Sequence, residues 1–195
     1  MDRDPNGEPF RIPPEERLNI FALVIYIPDP LGRFLDDLRR ELVPHYNPHA
    51  HVSVLPPRPL SVDWSAASEQ ARGLTSAWAP FTVELTRMDV FPVTDVIYLE
   101  VGQGAAELRR MHEAMSTNCL AFEEPFPYHP HITLAQELRH EDMPEKHALA
   151  LRRWKEYTGD RTFQAQRAAF VQNTVSGCWL DLAEYSFGAV PVTER

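Results

Sequence analysis

His51-Val52-Ser53-Val54 and His131-Ile132-Thr133-Leu134 decide how this chain is read. Each stretch runs histidine, apolar, hydroxyl, apolar, and the two histidines lie 80 residues apart. Pro56-Pro57 closes the first stretch and Pro130 opens the second, the punctuation expected of short strands. Strand side chains alternate between faces. His51 and Ser53 therefore share one face and Val52 and Val54 the other, and His131 and Thr133 part from Ile132 and Leu134 in the same way. The apolar pair anchors each strand in a core, while the histidine and hydroxyl are offered outward. One His-x-Ser or His-x-Thr means little; two matched copies at equivalent places mean much more.

Working outward, each motif sits in a similar series of elements. Residues 20–27 (IFALVIYI) form a continuous apolar run that reads as a buried strand. Leu31, Phe34, Leu35, Leu38 and Leu42 then recur at helical spacing, with Pro44 as the stop. After the first motif, Asp63 is suited to cap a helix running to Trp78, with Trp64, Ala67, Ala71, Leu74 and Trp78 as its buried stripe. Phe81, Val83 and Leu85 alternate as a strand. The series then restarts with a strand at 96–101, a helix through Leu108, Met111, Met115 and Cys119, the second motif, a helix over about 144–157, and late strands at about 162–172 and 178–187.

This rhythm predicts an α+β fold: a bilobal pseudo-twofold duplication with two antiparallel-rich sheets facing a central cleft and helices outside. The expected divisions are a flexible tail at 1–17, one bilobal domain at 18–190 with halves of about 18–92 and 93–190, and a short tail at 191–195.

Composition narrows the function classes. The formal net charge is -9, whereas proteins that grip a long nucleic-acid backbone usually carry a basic surface. The expected partner is a small nucleotide or an RNA end, with no long nucleic acid. No apolar run is long enough to span a membrane, and the polar N-terminus lacks the core of a secretory signal. Cys119 and Cys178 stand apart from any CxxC pair and read as reduced thiols, which favours a cytoplasmic protein. Nothing calls for an obligate oligomer, so a monomer is expected.

The motifs suit phosphodiester chemistry. The attacking and leaving oxygens lie on opposite sides of phosphorus, so in-line displacement wants a base on one side and an acid on the other. Histidine does either job near neutrality, and a hydroxyl two residues on can donate to a phosphate oxygen. His51 and His131 are the catalytic candidates, and Ser53 and Thr133 the phosphate-holding ones. Arg58 is a candidate for a bidentate phosphate contact and Tyr128 for stacking on a base; an ordinary surface arginine and a packing tyrosine are the plain alternatives. Phe91 reads as core, His49 and His129 as flanking residues, and His45, His112, His140 and His147 as incidental.

These two motifs, together with Pro130 and with Phe91-Pro92 before the 96–101 strand, resemble the paired motifs of the two-histidine (2H) phosphoesterase superfamily. The resemblance covers roughly residues 18–190. It is strongest to the branch of 2′-5′ RNA ligases and RNA 2′,3′-cyclic phosphodiesterases. It implies a bilobal fold with its cleft between lobes. It also implies metal-independent hydrolysis of a 2′,3′-cyclic phosphate to a 2′-phosphate, or 2′-5′ ligation in reverse, with no cofactor. Ser53 replaces the more usual Thr, and Ala135-Gln136 stands where many relatives of the branch carry Arg. One rival is a non-catalytic nucleotide-binding module on the same fold. The other is a metal-dependent hydrolase using the His49-x-His51 and His129-x-His131 pairs, a reading that leaves Ser53 and Thr133 without a role.

Overall fold

The computed structural model describes residues 12–43 and 49–188. Most of the two expected tails, Pro44 and His45 lie outside the described residues.

Among the described residues, eight strands and four α-helices follow in the order β1 (Arg17–Tyr26), α1 (Leu31–Leu42), β2 (His51–Arg58), α2 (Trp64–Thr75), β3 (Phe81–Phe91), β4 (Val96–Val101), α3 (Ala105–Met115), β5 (His131–Ala135), α4 (Met143–Glu156), β6 (Thr162–Ala165), β7 (Arg167–Thr174) and β8 (Trp179–Ser186). They build two four-stranded sheets, ordered β2-β1-β7-β8 and β5-β4-β3-β6. Every pairing is antiparallel, so the α+β architecture with two facing sheets is present.

Local signals explain most element ends. The Asp63 carboxylate accepts from the Ser65 amide at 2.9 Å, capping α2. Pro144 sits in the first turn of α4, where a missing N–H costs nothing. Gly104 begins α3 at φ +89°, where a Cβ would stand 2.6 Å from the Thr82 carbonyl. The expected buried stripe of α1 is present: Leu31, Leu35, Leu38 and Leu42 are all buried. On α2, Trp64 departs from its expected stripe and is 38% exposed, while Ala67 and Ala71 carry the packing.

Three expectations change. Pro56-Pro57 does not end the first motif strand: β2 runs through both prolines to Arg58, as an edge strand can. The single strand expected at 162–172 is two strands, and β6 and β7 belong to different sheets. The strands also do not sort by chain half. β3, from the first half, pairs with β4 and β6, whereas β7, from the second half, pairs with β1. The first half thus lends β3 to the second sheet, and the second half lends β7 and β8 to the first.

The main core joins the helices to the inner faces of both sheets, bringing Leu35 and Leu38 of α1 together with Val52, Val54, Ile132 and Leu134 of the motif strands. Each motif strand is an edge strand of its sheet, and β2 and β5 lie against one another. That contact brings the two motifs together.

Candidate active site

The alternation read from the motifs is present. Val52, Val54, Ile132 and Leu134 are buried, while His51, Ser53, His131 and Thr133 are half-buried. The histidines are held in matching ways. The Nδ1–H of His51 donates to the carbonyl of His49 at 2.7 Å, and that of His131 to the carbonyl of His129 at 2.6 Å. A carbonyl only accepts, so each ring carries its proton on Nδ1 when neutral and leaves Nε2 as a lone-pair acceptor. Neither Nε2 has a hydrogen-bond partner among the described residues.

The residue two before each histidine supplies that carbonyl, and each is itself anchored by a carboxylate. His49 Nδ1 lies 3.2 Å from Asp36, whose other oxygen accepts from the Ala50 amide at 2.7 Å. His129 Nε2 lies 3.1 Å from Glu100. The two His-x-His pairs therefore act as orienting pairs, with the first histidine fixing the backbone that fixes the second. Among the described residues no group of three or more His, Cys, Asp or Glu is placed to hold a metal ion.

Burial is the main influence on both rings, disfavouring the charged form. It brings His51 down to about 4 and also lowers His131. Smaller influences act on each ring in both directions. At His51, Arg39 lowers it further and outweighs Asp36, which raises it, and His131 lies near enough to lower it as well. At His131, the His129 ring lowers it and Glu100 raises it. The cross-strand neighbours differ: Tyr26 pairs with His51 and Glu100 with His131.

Aromatic rings flank both histidines. Tyr26 meets His51 edge-on at 6.3 Å. Phe91 stacks on Tyr98 at 3.9 Å and meets His131 edge-on at 4.9 Å. Phe91, expected in the core, is thus half-buried beside the site.

Arg58 and Tyr128 are placed otherwise than expected. Arg58 is 2% exposed. Its guanidinium donates to the carbonyls of Pro56 at 3.0 Å and Leu120 at 2.9 Å, and to Glu124. Every nitrogen is committed to the interior, so it braces β2 instead of offering a fork to phosphate. Tyr128 is also occupied. Its hydroxyl donates to the Ser53 carbonyl at 2.7 Å and its ring stacks on His112 at 3.9 Å. His112, read as incidental, donates from Nδ1 to the Val54 carbonyl at 2.9 Å. Edge strands leave backbone groups unpaired, and Tyr128 and His112 satisfy two such carbonyls of β2.

Sequence reasoning missed Tyr26, Asp36, Glu100, His112 and Glu124. A signal existed for Glu100, which is the one charge in the apolar run VIYLEV and so belongs on the outward face. The others depend on contacts between distant segments and leave no local mark.

Comparison with known proteins identifies the family and the fold. Residues 27–176 match the sequence model of the 2′-5′ RNA ligase superfamily, and the chain belongs to that superfamily, one of the 2H phosphoesterases. A Bacillus licheniformis protein carrying a provisional phosphoesterase name is 28% identical over 121 residues, covering 60% of this chain and 71% of that one. A similarly named Geobacillus kaustophilus protein is 26% identical over 127 residues, covering 60% and 69%. Among solved structures, E. coli LigT in its apo form superposes with a TM-score of 0.62 at 13% identity, covering 89% of this chain and 99% of LigT. Kluyveromyces marxianus Usb1 superposes with a TM-score of 0.54 at 12% identity, covering 87% and 99%. At such identities the structures speak to the fold alone. Superfamily and named relatives together define a phosphoesterase-type activity.

Proposed function

We propose that the protein is a phosphodiesterase that opens a 2′,3′-cyclic phosphate, on a small nucleotide or an RNA end, to a 2′-phosphate without a metal ion. The observation that carries this reading is the matched pair of half-buried histidines, each with Nδ1–H tied to the carbonyl two residues back and Nε2 left without a partner. Ser53 and Thr133 hold the phosphate from the two sides.

The asymmetry of the neighbours divides the labour. His51, beside Tyr26 and with Arg39 outweighing Asp36, is the ring kept neutral, and its Nε2 takes a proton from water. The water oxygen attacks phosphorus as the bond to the ribose 3′ oxygen breaks. His131, favoured in its charged form by Glu100, gives its Nε2 proton to that oxygen. One water is consumed, a 2′-phosphate and a 3′-hydroxyl result, and the rings exchange protons with solvent to reset. With a 5′-hydroxyl in place of water the same step makes a 2′-5′ linkage.

The testing experiment is hydrolysis of a panel of 2′,3′-cyclic nucleotides by the wild type, His51→Ala and His131→Ala, each with and without EDTA. Turnover that resists EDTA and disappears in both variants is expected. Turnover lost to EDTA and restored by a divalent metal would replace this reading with the metal-dependent one. Binding of the nucleotides without product would replace it with a binding module.

A further inference from the structure

Beyond the two motifs, the site-facing side of the first sheet carries polar groups with no role in the proton transfers. Cross-strand pairing identifies them. Ser53 pairs with Val24, Val24 with Ala169, and Ala169 with Glu184; Ala22 pairs with Val171 and Val171 with Asp181. Residues 22, 24 and 26 alternate onto one face, so Asp181 and Glu184 share the face of His51 and Ser53. Ala22, Val24, Ala169 and Val171 form a small apolar cluster there, separate from the main core, against which Tyr26 and Trp179 pack.

Tyr26 ties this region to the reaction centre. Its ring lies beside His51, and its hydroxyl donates to Asp181 Oδ1 at 2.6 Å. The bond holds the half-buried carboxylate in place, and Oδ2 has no partner among the described residues. A carboxylate held with one oxygen unused is an acceptor for a hydrogen-bond donor and a repellent for a second anion.

The arginines bordering the two site-facing sheet faces do not relieve that repulsion. Arg167 lies 3.0 Å from Glu184 and Arg39 3.6 Å from Asp36. Arg87 lies 3.6 Å from Asp89 and 4.0 Å from Glu100. Each has a carboxylate beside it.

We propose that the Tyr26–Asp181 pair determines substrate choice: Asp181 accepts a hydrogen bond from an uncharged hydroxyl on the part of the substrate beyond the scissile phosphate, and disfavours a second phosphate there. The preferred substrate class is then a small phosphodiester with one phosphate and a free hydroxyl, not the end of a longer RNA chain. This inference rests on the cyclic phosphodiesterase reading and sharpens its substrate.

The test compares adenosine 2′,3′-cyclic phosphate bearing a free 5′-hydroxyl with the same compound bearing a 5′-phosphate. Relative kcat/KM is measured for the wild type, Asp181→Asn, Tyr26→Phe and, as a distant control, Glu69→Gln. Dissociation constants of adenosine 2′-monophosphate and adenosine 2′,5′-bisphosphate are measured alongside. The wild type is expected to favour the free hydroxyl at least tenfold by both readouts. Asp181→Asn should shrink that preference severalfold, Tyr26→Phe should shrink it less, mainly through KM, and Glu69→Gln should keep it. Equal use of the two substrates, a wild-type preference for the 5′-phosphate, or a preference unchanged in Asp181→Asn overturns the inference, as does binding of neither mononucleotide. The failures separate: loss of turnover without loss of binding discrimination sinks the phosphodiesterase reading and leaves Asp181 as a selector, whereas turnover without discrimination does the reverse.

Discussion

Glu100 stands across the strand pair from His131, in the place that Tyr26 occupies opposite His51. The two half-sites share their histidine, their hydroxyl, their carbonyl anchor and a nearby carboxylate, Asp36 for His51 and Glu100 for His131, and differ in which residue stands directly across the strand pair. A carboxylate beside a ring favours its charged form, and a tyrosine hydroxyl does so far less. Glu100→Gln should therefore lower the proton affinity of His131 while leaving His51 little changed. Because His131 acts as the acid, the basic limb of the kcat/KM profile should move toward lower pH, by about half a unit to one unit. A shift of the acidic limb instead would exchange the roles of the two histidines.

The whole pH profile should lie on the acid side of neutrality. His51 must be neutral to act, and burial carries it to about 4; an ordinary histidine would already be mostly charged at pH 5. His131 must be charged, and burial carries it below its usual range as well. The expected kcat/KM profile is a bell whose acidic limb falls near pH 4 and whose basic limb falls below about 6.5. A plateau extending through pH 8 would rule out His131 as an acid titrating in the free enzyme.

The same lowering at His51 has a consequence for stability. The unfolded chain takes up a proton at this residue near pH 6.5, but the folded chain does not until about 4. Folding is therefore penalised as the pH falls through that interval and not above it. Urea midpoints should drop between pH 6.5 and 4, and His51→Gln should drop less over the same range. Parallel curves for the two proteins would show that His51 contributes nothing to the slope.

Ser53→Ala and Thr133→Ala should each cost about tenfold to a hundredfold in kcat/KM, less than either histidine change. Each removes one neutral hydrogen bond to a charged phosphate, on the order of 1.5–3 kcal/mol. Steady-state kinetics on a cyclic nucleotide provides the check, and larger losses than those of the histidine variants would reverse the assignment of roles.

Arg58→Met should destabilise the protein by about 3 kcal/mol, because it takes the guanidinium from the Glu124 carboxylate in a half-closed interior and leaves it only His112, 3.5 Å away. Pairing it with Glu124→Leu should recover much of that loss. Equilibrium unfolding distinguishes this bracing role from a phosphate contact, for which stability would be unchanged and KM alone would rise.

What the sequence made legible, and what it did not, divides along one line. Period-two alternation in His51–Val54 and His131–Leu134 fixes which side chains share a face, and the apolar spacing of Leu31 to Leu42 fixes a helix, because both are local. The sheet that a strand joins is not local. Nothing in Phe81–Phe91 or Arg167–Thr174 announces that these strands change partners. The fate of a polar side chain is equally non-local. Arg58 lies next to a motif and reads as a ligand contact, but it meets Leu120 and Glu124 from more than sixty residues away.

The exchange of β3 and β7 between the sheets also bears on how the protein can come into being. A chain synthesised through β6 has the strands of the second sheet but only β1 and β2 of the first. The strand carrying His51 then belongs to a two-stranded sheet, β1 and β2 joined through α1, that lacks half its strands. Its neighbour β1 is enclosed on the other side only when β7 arrives, near the end of synthesis. The sheet that carries His51 is therefore the later of the two to be completed. A cut at the midpoint of the sequence would yield two fragments, neither holding a whole sheet and each needing the other to finish its own.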